Sequence, residues 1–247
     1  MLAEEIKARC KELRLGENIA SLSQTTKAES HQEYLFKILQ AERERRKQAQ
    51  IHNLIKRAGF YCLKTFDDFQ FDEVTLPASV TPESLKACEF LEAKRNIVMY
   101  GGVGTGKTFL SIALGIEARA LSSPVMFFRT SALVNRLSEA KRSGTLTPLM
   151  KAISKTKLLI LDEWGYIPLD ITGSQLLFEV VSECYERRSL IINTNLEFSK
   201  WVNVFYDEQM TSAILDRVLH YCDLLLFPGP SNRIREFGTG MKGGAVQ

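Results

Sequence analysis

Two hydrophobic patterns alternate along most of the chain. Residues 96–100, 124–128, 157–161, 189–193 and 222–227 are short, nearly continuous apolar runs, the pattern of strands buried on both faces. Between them the apolar positions recur at helical spacing: over 109–121, over 131–143 with Leu133, Val134 and Leu137 inward and Gly144 as terminator, and in a shorter stretch to about 153. Further helices are predicted over 173–187, 198–205 and 211–221. Strand and helix in strict alternation predict a parallel five-stranded sheet, with any ligand at the carboxyl ends of its strands.

The segment ahead of the first strand reads differently. Leu2, Ile6, Cys10 and Leu13 mark a modest amphipathic helix over 2–15 that Gly16 can terminate. A longer helix is predicted over 29–58, with Tyr34, Leu35, Ile38 and Leu39 at its start and Ile51, Leu54, Ile55 and Ala58 near its end. Its middle, 40–50, has no large apolar side chain on any face. Phe66, Phe69 and Phe71, separated by carboxylates, suggest an aromatic hairpin, and 84–93 reads as a helix leading to the first strand. A small all-α N-terminal domain over 1–65 and an α/β domain over 66–247, with a loose glycine-rich tail from about 238, are expected.

Composition narrows the setting. The 247 residues are 45% hydrophobic, and the net charge of +3 is too small to argue a nucleic-acid partner from the total. Five scattered cysteines and three scattered histidines fit free thiols in a reducing compartment better than a disulfide framework or a zinc site. No signal-like core and no run of membrane-spanning length is present, so a soluble, cytoplasmic protein with no membrane partner is expected.

Candidate chemistry begins at residues 101–108, which fit the phosphate-loop pattern with Gly101, Gly106, Lys107 and Thr108 in register. A strand before and a helix after supply the context in which Gly102, Val103, Gly104, Thr105, Gly106 and Phe109 wrap nucleotide phosphates. Lys107 can reach the β- and γ-phosphates, and Thr108 can coordinate Mg²⁺. Phe69 can wall an adenine pocket. The third strand ends in Asp162 and Glu163; on the strand beside the phosphate loop, the first suits Mg²⁺ and the second suits an attacking water, which favours ATP hydrolysis. Asn193 to Asn195 end the fourth strand, where a polar side chain can touch the γ-phosphate or orient the water. Residues 41–57 carry six basic side chains (Arg43, Arg45, Arg46, Lys47, Lys56, Arg57) against Glu42 and Glu44. This is either a solvated helix with ion pairs or a helix that lies on DNA phosphates. Lys141 and Arg142 are weaker DNA candidates.

The phosphate loop, the segment Leu-Leu-Ile-Leu-Asp-Glu-Trp-Gly-Tyr-Ile-Pro-Leu at 158–169, Asn193-Thr194-Asn195 and the Ile-Leu-Asp-Arg segment around Arg217 together resemble IstB-type ATPases. Those are the transposition helpers encoded beside the IstA transposase in bacterial insertion sequences, kin to the helicase loader DnaC. The resemblance implies an initiator-type AAA+ fold of the P-loop NTPase class with a reduced C-terminal lid. It implies Asn195 as sensor one, Arg217 as the box-seven arginine acting on a neighbouring subunit's ATP, and Arg233 as candidate sensor two. The implied function is an ATP-dependent helper that oligomerises with composite sites on duplex DNA of weak sequence specificity, deforms it and recruits or activates an IstA-type transposase. A DnaC-like helicase loader is the alternative; a small-molecule kinase and a non-hydrolysing switch fit less well. Trp164 stands where the family usually has Leu, and Ser231-Asn232-Arg233 where it has Ser-Tyr-Arg.

Overall fold

The computed structural model describes residues 2–205 and 207–232, with the side chains of 47, 48 and 50–57 outside the description. The chain forms two units, Met1–Leu54 and Ile55–Gln247.

In the first unit, α1 (Leu2–Glu12), α2 (Ile19–Thr25) and the start of α3 (His31–Ala58) enclose a small core of Cys10, Ile19 and Ile38, against which Ile6, Leu15, Leu22 and Tyr34 pack. Helix α2 was not legible in the sequence, because its serine-rich turn offers only two large apolar side chains. Tyr34 anchors it by donating its hydroxyl to the Ser23 carbonyl at 3.0 Å. Helix α1 ends at Glu12, ahead of Gly16, because Arg14 turns left-handed at φ 54 and the Leu15 N–H bonds the Cys10 carbonyl at 2.7 Å. Leu2 and Leu13, expected on the inner face, are exposed. The polar middle of α3 contains a buried charge instead of a uniformly solvated surface. Glu42 accepts from Arg45 Nε (2.8 Å) and Nη2 (2.9 Å), from Arg46 Nε (2.8 Å) and from the Gly16 N–H (3.1 Å). Arg45 first, then Arg46 and the Gly16 amide, hold the Glu42 carboxyl down at about 2 against the opposing effect of burial.

In the second unit five parallel strands, β1 (Asn96–Gly101), β2 (Val125–Arg129), β3 (Leu158–Trp164), β4 (Ser189–Thr194) and β5 (Cys222–Phe227), lie in the order β2-β3-β4-β1-β5. Alternate side chains sort to opposite faces, as the pleat requires. Val98, Leu159, Leu161, Leu190 and Ile192 join one core with α7 (Thr130–Arg142), α8 (Leu146–Ser154), α9 (Ile171–Cys184), α10 (Val202–Phe205) and α11 (Glu208–Leu219). Ile97, Met99, Leu158, Ile160, Ile191 and Leu225 join the other, under α6 (Lys107–Ala120) and the short helices α4 (Pro82–Lys86) and α5 (Glu89–Glu92). Both faces are covered, which is why the strands read as unbroken apolar runs.

Three local expectations are corrected. The aromatic stretch is not a hairpin: Phe66–Asp68 is a 3-10 turn, Phe69 meets Phe71 edge-on at 5.0 Å, and Thr75 makes an isolated antiparallel bridge to Leu226. The helix expected over 84–93 is two, α4 and α5, separated at Cys88 by a left-handed residue (φ 55). The helix expected over 198–205 is a 3-10 turn, Phe198–Lys200, followed by α10.

Helix α6 approaches the sheet at Gly115, where an added Cβ would collide with the Phe60 ring and lie 2.9 Å from Ile160 Cδ1. Gly115→Val should therefore lower the thermal unfolding midpoint, at a cost of about 1–3 kcal/mol, because a close-packed core cannot absorb the added volume. A midpoint equal to or above that of the parent chain would show that α6 shifts freely.

Candidate nucleotide site

The loop after β1 supplies the site. Gly104 (φ 79) and Gly106 (φ 103) take left-handed conformations that side chains rarely adopt, and Gly106 caps α6, so Lys107 and Thr108 open its first turn. An added Cβ at Gly104 would strike Ser231, and the Asn232 N–H bonds the Gly104 carbonyl at 2.9 Å. The segment after β5 thus packs directly on the phosphate loop. Lys107 donates to the carbonyls of Gly101 (2.7 Å) and Gly102 (2.6 Å), and Thr105 Oγ1 donates to the Gly102 carbonyl at 2.9 Å. Burial pushes the Lys107 ammonium down to about 8, with Asp162 acting the other way.

Asp162 is 4% exposed. Its two oxygens accept from Thr108 Oγ1 at 3.1 Å each, and Oδ1 accepts from Asn193 Nδ2 at 2.9 Å. The Asp162 strand is not beside the strand that carries the phosphate loop, contrary to expectation: β4 lies between β1 and β3, so Asp162 reaches Thr108 across the Asn193 strand. A hydroxyl and a carboxylate placed together at the head of α6 are the hard oxygen donors that Mg²⁺ uses beside substrate phosphates. Among the described residues no group of three or more His, Cys, Asp and Glu is positioned for a metal, so any cation here depends on those phosphates for further oxygens.

The cleft above the loop has a volume of about 590 Å³, within the range of small-ligand sites. Gly104, Thr105, Gly106, Lys107, Thr108 and Phe109 line it, together with Phe69, whose ring lies 5.5 Å from that of Phe109. Gly102 begins the loop, and Val103 at its tip is exposed. Tyr61, Lys64 and Asn232 also line the cleft and were missed. The Lys64 ammonium sits 4.8 Å over the Phe109 ring, a cation–π contact that no spacing rule reveals between residues forty-five positions apart.

The remaining candidates lie elsewhere. Glu163 follows Asp162 at a bulge where β3 slips one residue against β4, and its backbone is left-handed at φ 56. Its carboxylate is 42% exposed, lies 3.7 Å from Arg129 Nε, and borders a small 60 Å³ cavity with Thr130 and Trp164. Asn195 is exposed just past β4, whereas Asn193 is buried against Asp162. Arg217 lies toward the opposite end of the strands: its carbonyl and that of Val218 accept from the side chain of Asn96, the first residue of β1. Its guanidinium bonds the Ala213 carbonyl at 2.8 Å and lies 4.9 Å over the Phe178 ring. Trp164 is fully buried, its ring 5.1 Å from Trp201 and 5.6 Å from Phe205. Of the basic candidates, Arg45 and Arg46 are engaged with Glu42, Arg46 remaining exposed while paired, and Arg43, Lys141 and Arg142 are exposed. The side chains of Lys47, Lys56 and Arg57, and all of Arg233, lie outside the described residues.

Residues 8–238 match the family model of the IstB-like ATP binding protein. The chain belongs to this family. The candidate ATP-binding protein of insertion sequence IS232 from Bacillus thuringiensis subsp. berliner is 36% identical over 83% of this chain and 82% of its own length. The corresponding IS21 protein of Pseudomonas aeruginosa is 33% identical over 94% and 89%. Among solved structures, the AMPPCP-bound replication initiator DnaA from Aquifex aeolicus aligns with a TM-score of 0.55 at 21% identity, over 74% of this chain and 55% of that one. The DnaC helicase loader aligns with a TM-score of 0.51 at 20% identity, over 66% and 96%. At those identities the likeness establishes the fold. It is the P-loop AAA+ fold expected from the sequence, with a helical segment ahead of it.

An IstB-family nucleotide site whose lysine is depressed to about 8 predicts a pH signature. ATP affinity should fall as pH rises through 8, approaching about tenfold per unit, because the free protein then loses the charge that the phosphates require. Equilibrium binding of a fluorescent ATP analogue between pH 6.5 and 9.5 reads this directly, and Lys107→Met should bind weakly with a flat profile. Parallel profiles for the two proteins would remove Lys107 as the titrating group.

Proposed function

We propose that this protein is a Mg²⁺-dependent ATPase that serves as the ATP-driven helper of an IstA-type transposase, working on duplex DNA in the cytoplasm. The observation that carries the reading is the contact of Thr108 with the buried Asp162, which joins a phosphate-binding helix to a metal-suited carboxylate. Thr108 Oγ and Asp162 would hold Mg²⁺, whose charge would offset that of the phosphates. Lys107 would exchange the carbonyls of Gly101 and Gly102 for the β- and γ-phosphates. Glu163, one residue beyond Asp162 and exposed, would orient the attacking water, with Asn195 as the polar group at the neighbouring strand end. Relatives from insertion sequences at 33% and 36% identity favour the transposition helper over a helicase loader.

Arg217 is held at the far end of the strands from its own phosphate loop, so a role on the γ-phosphate requires a second copy of the chain. Composite sites in a homo-oligomer follow from that role, and assembly would multiply a modest per-subunit DNA contact. For that contact, Arg43, Lys141 and Arg142 are better placed than Arg45 and Arg46, whose guanidinium groups already satisfy Glu42.

Glu163→Gln should retain ATP binding and lose turnover by about a hundredfold or more, measured as phosphate release under saturating Mg²⁺ and DNA. Turnover equal to that of the parent would remove Glu163 from the mechanism.

On DNA, the combined variant Arg43→Gln, Lys141→Gln and Arg142→Gln should weaken duplex binding on every sequence alike. It should also lower the salt slope by roughly one unit per lost phosphate contact. Unchanged affinity and slope across a salt titration would remove all three side chains from DNA contact.

A further inference from the structure

Beneath the phosphate loop, four side chains from three elements form one hydrogen-bonded chain. Asn193 Nδ2, on β4, donates to Ser111 Oγ on α6 at 2.8 Å and to Asp162 Oδ1 on β3 at 2.9 Å. Ser111 Oγ in turn donates to the Thr108 carbonyl at 3.0 Å, and Thr108 Oγ1 donates to Asp162. Ser111 is 0% exposed and Asn193 1%.

The Asn193 amide is oriented by its neighbours. Both amide protons are spent on Ser111 and Asp162, and Oδ1 is buried without a hydrogen-bond partner. Turning the amide over would set its carbonyl oxygen against the Asp162 carboxylate, so the donor-facing arrangement is the one electrostatics selects. A buried acceptor left unpaired is costly, and the preceding residues Ile191 and Ile192 show that an apolar side chain satisfies packing on this strand. A residue serving the core alone would not need this amide.

We propose that Asn193 is the positioning residue for Asp162: it fixes the rotation of the carboxylate so that its remaining lone pairs face the metal–phosphate region. Thr108 gives its proton to Asp162 and keeps a lone pair of its own for a cation, while Ser111 ties Asn193 to the helix that carries Thr108. The family resemblance marks Asn195 as the polar group at this strand end, and Asn193 has no role there. The inference rests on the Mg²⁺–ATP reading of the site but not on hydrolysis. Without the amide, Asp162 loses its side-chain hydrogen bond to β4 and keeps the one from Thr108, so its rotation about the side-chain bond is less constrained. Metal capture then loses its preorganisation, whereas the grip of the loop amides and Lys107 on phosphates persists.

The test uses the full chain and three variants: Asn193→Leu, near-isosteric and without donors; Asn193→Ala; and Ser111→Ala, which keeps Asn193 but removes its outer tether. Mn²⁺ affinity in the presence of a non-hydrolysable ATP analogue is read by electron paramagnetic resonance, and analogue affinity is read separately in excess chelator. Both Asn193 variants should lose about tenfold or more in Mn²⁺ affinity, and Ser111→Ala less, with analogue affinity in chelator changed by less than about twofold. If one Asn193 variant loses cooperative unfolding, the other and Ser111→Ala carry the reading. Unaltered Mn²⁺ affinity in the folded variants would overturn the proposal, as would an equal loss of analogue affinity with and without metal. A parent protein that binds Mn²⁺ and the analogue but releases no phosphate from ATP would sink the ATPase reading and leave this one standing.

Discussion

A carboxylate at 4% exposure is costly unless its oxygens are met by donors, and Asp162 is met from two directions. Thr108 comes from the head of α6 and Asn193 from the middle layer of the sheet. Satisfying that one charge places the first turn of the phosphate-binding helix against the end of β3, with β4 between as the bridge. The phosphate loop then takes its geometry from both ends: Gly101 continues β1, and Gly106 hands the chain to α6. Burying the acid and shaping the nucleotide cleft are the same event.

The first unit solves a similar problem for a different purpose. Glu42 is buried in a segment without large apolar side chains, and it gathers Arg45, Arg46 and the Gly16 amide around itself. Arg46 also donates to the Arg14 carbonyl at 2.9 Å, so the turn after α1 is fastened to α3 by charge-assisted bonds. Because Glu42 is held at about 2, its stabilising contribution is complete above the ordinary carboxylate range and fades as pH falls from about 4.5 toward 2. In this unit electrostatics supplies what three small buried side chains cannot.

The second unit owes the layout of its candidate nucleotide site to the strand order. Placing β1 between β4 and the edge strand β5 sets the phosphate loop off-centre on the carboxyl edge, and β4, the central strand, separates it from the end of β3 that carries Asp162 and Glu163. Glu163 differs from Asp162 only by a backbone step: the bulge and its left-handed φ turn it outward while its neighbours Asp162 and Trp164 are buried. Arg217 shows the opposite relation, a residue of the family motif that its own fold holds away from its own site.

Much of this was legible in the residues. The five strands are readable because both faces of a parallel sheet must be apolar, and the phosphate loop because glycines before Gly-Lys-Thr have little other use between a strand and a helix. Local signals failed where the deciding partner is distant in sequence. Nothing near Asn193 says that it, and not Asn195, meets Asp162, because a strand's alternation shows which side chains point inward but not what they meet. Nothing near Arg45 and Arg46 says that their charge is committed to Glu42 and the Gly16 turn, because a run of cations looks the same in solution and in a network. The break at Cys88 and the bulge at Glu163 were equally hidden, since neither residue is a glycine. By itself the sequence determined which segments are strands, which loop holds phosphate and which family the chain resembles, all set by local periodicity and spacing. Only the tertiary structure decided which polar groups share the Asp162 carboxylate and which basic groups remain exposed, because those outcomes depend on contacts among residues tens of positions apart.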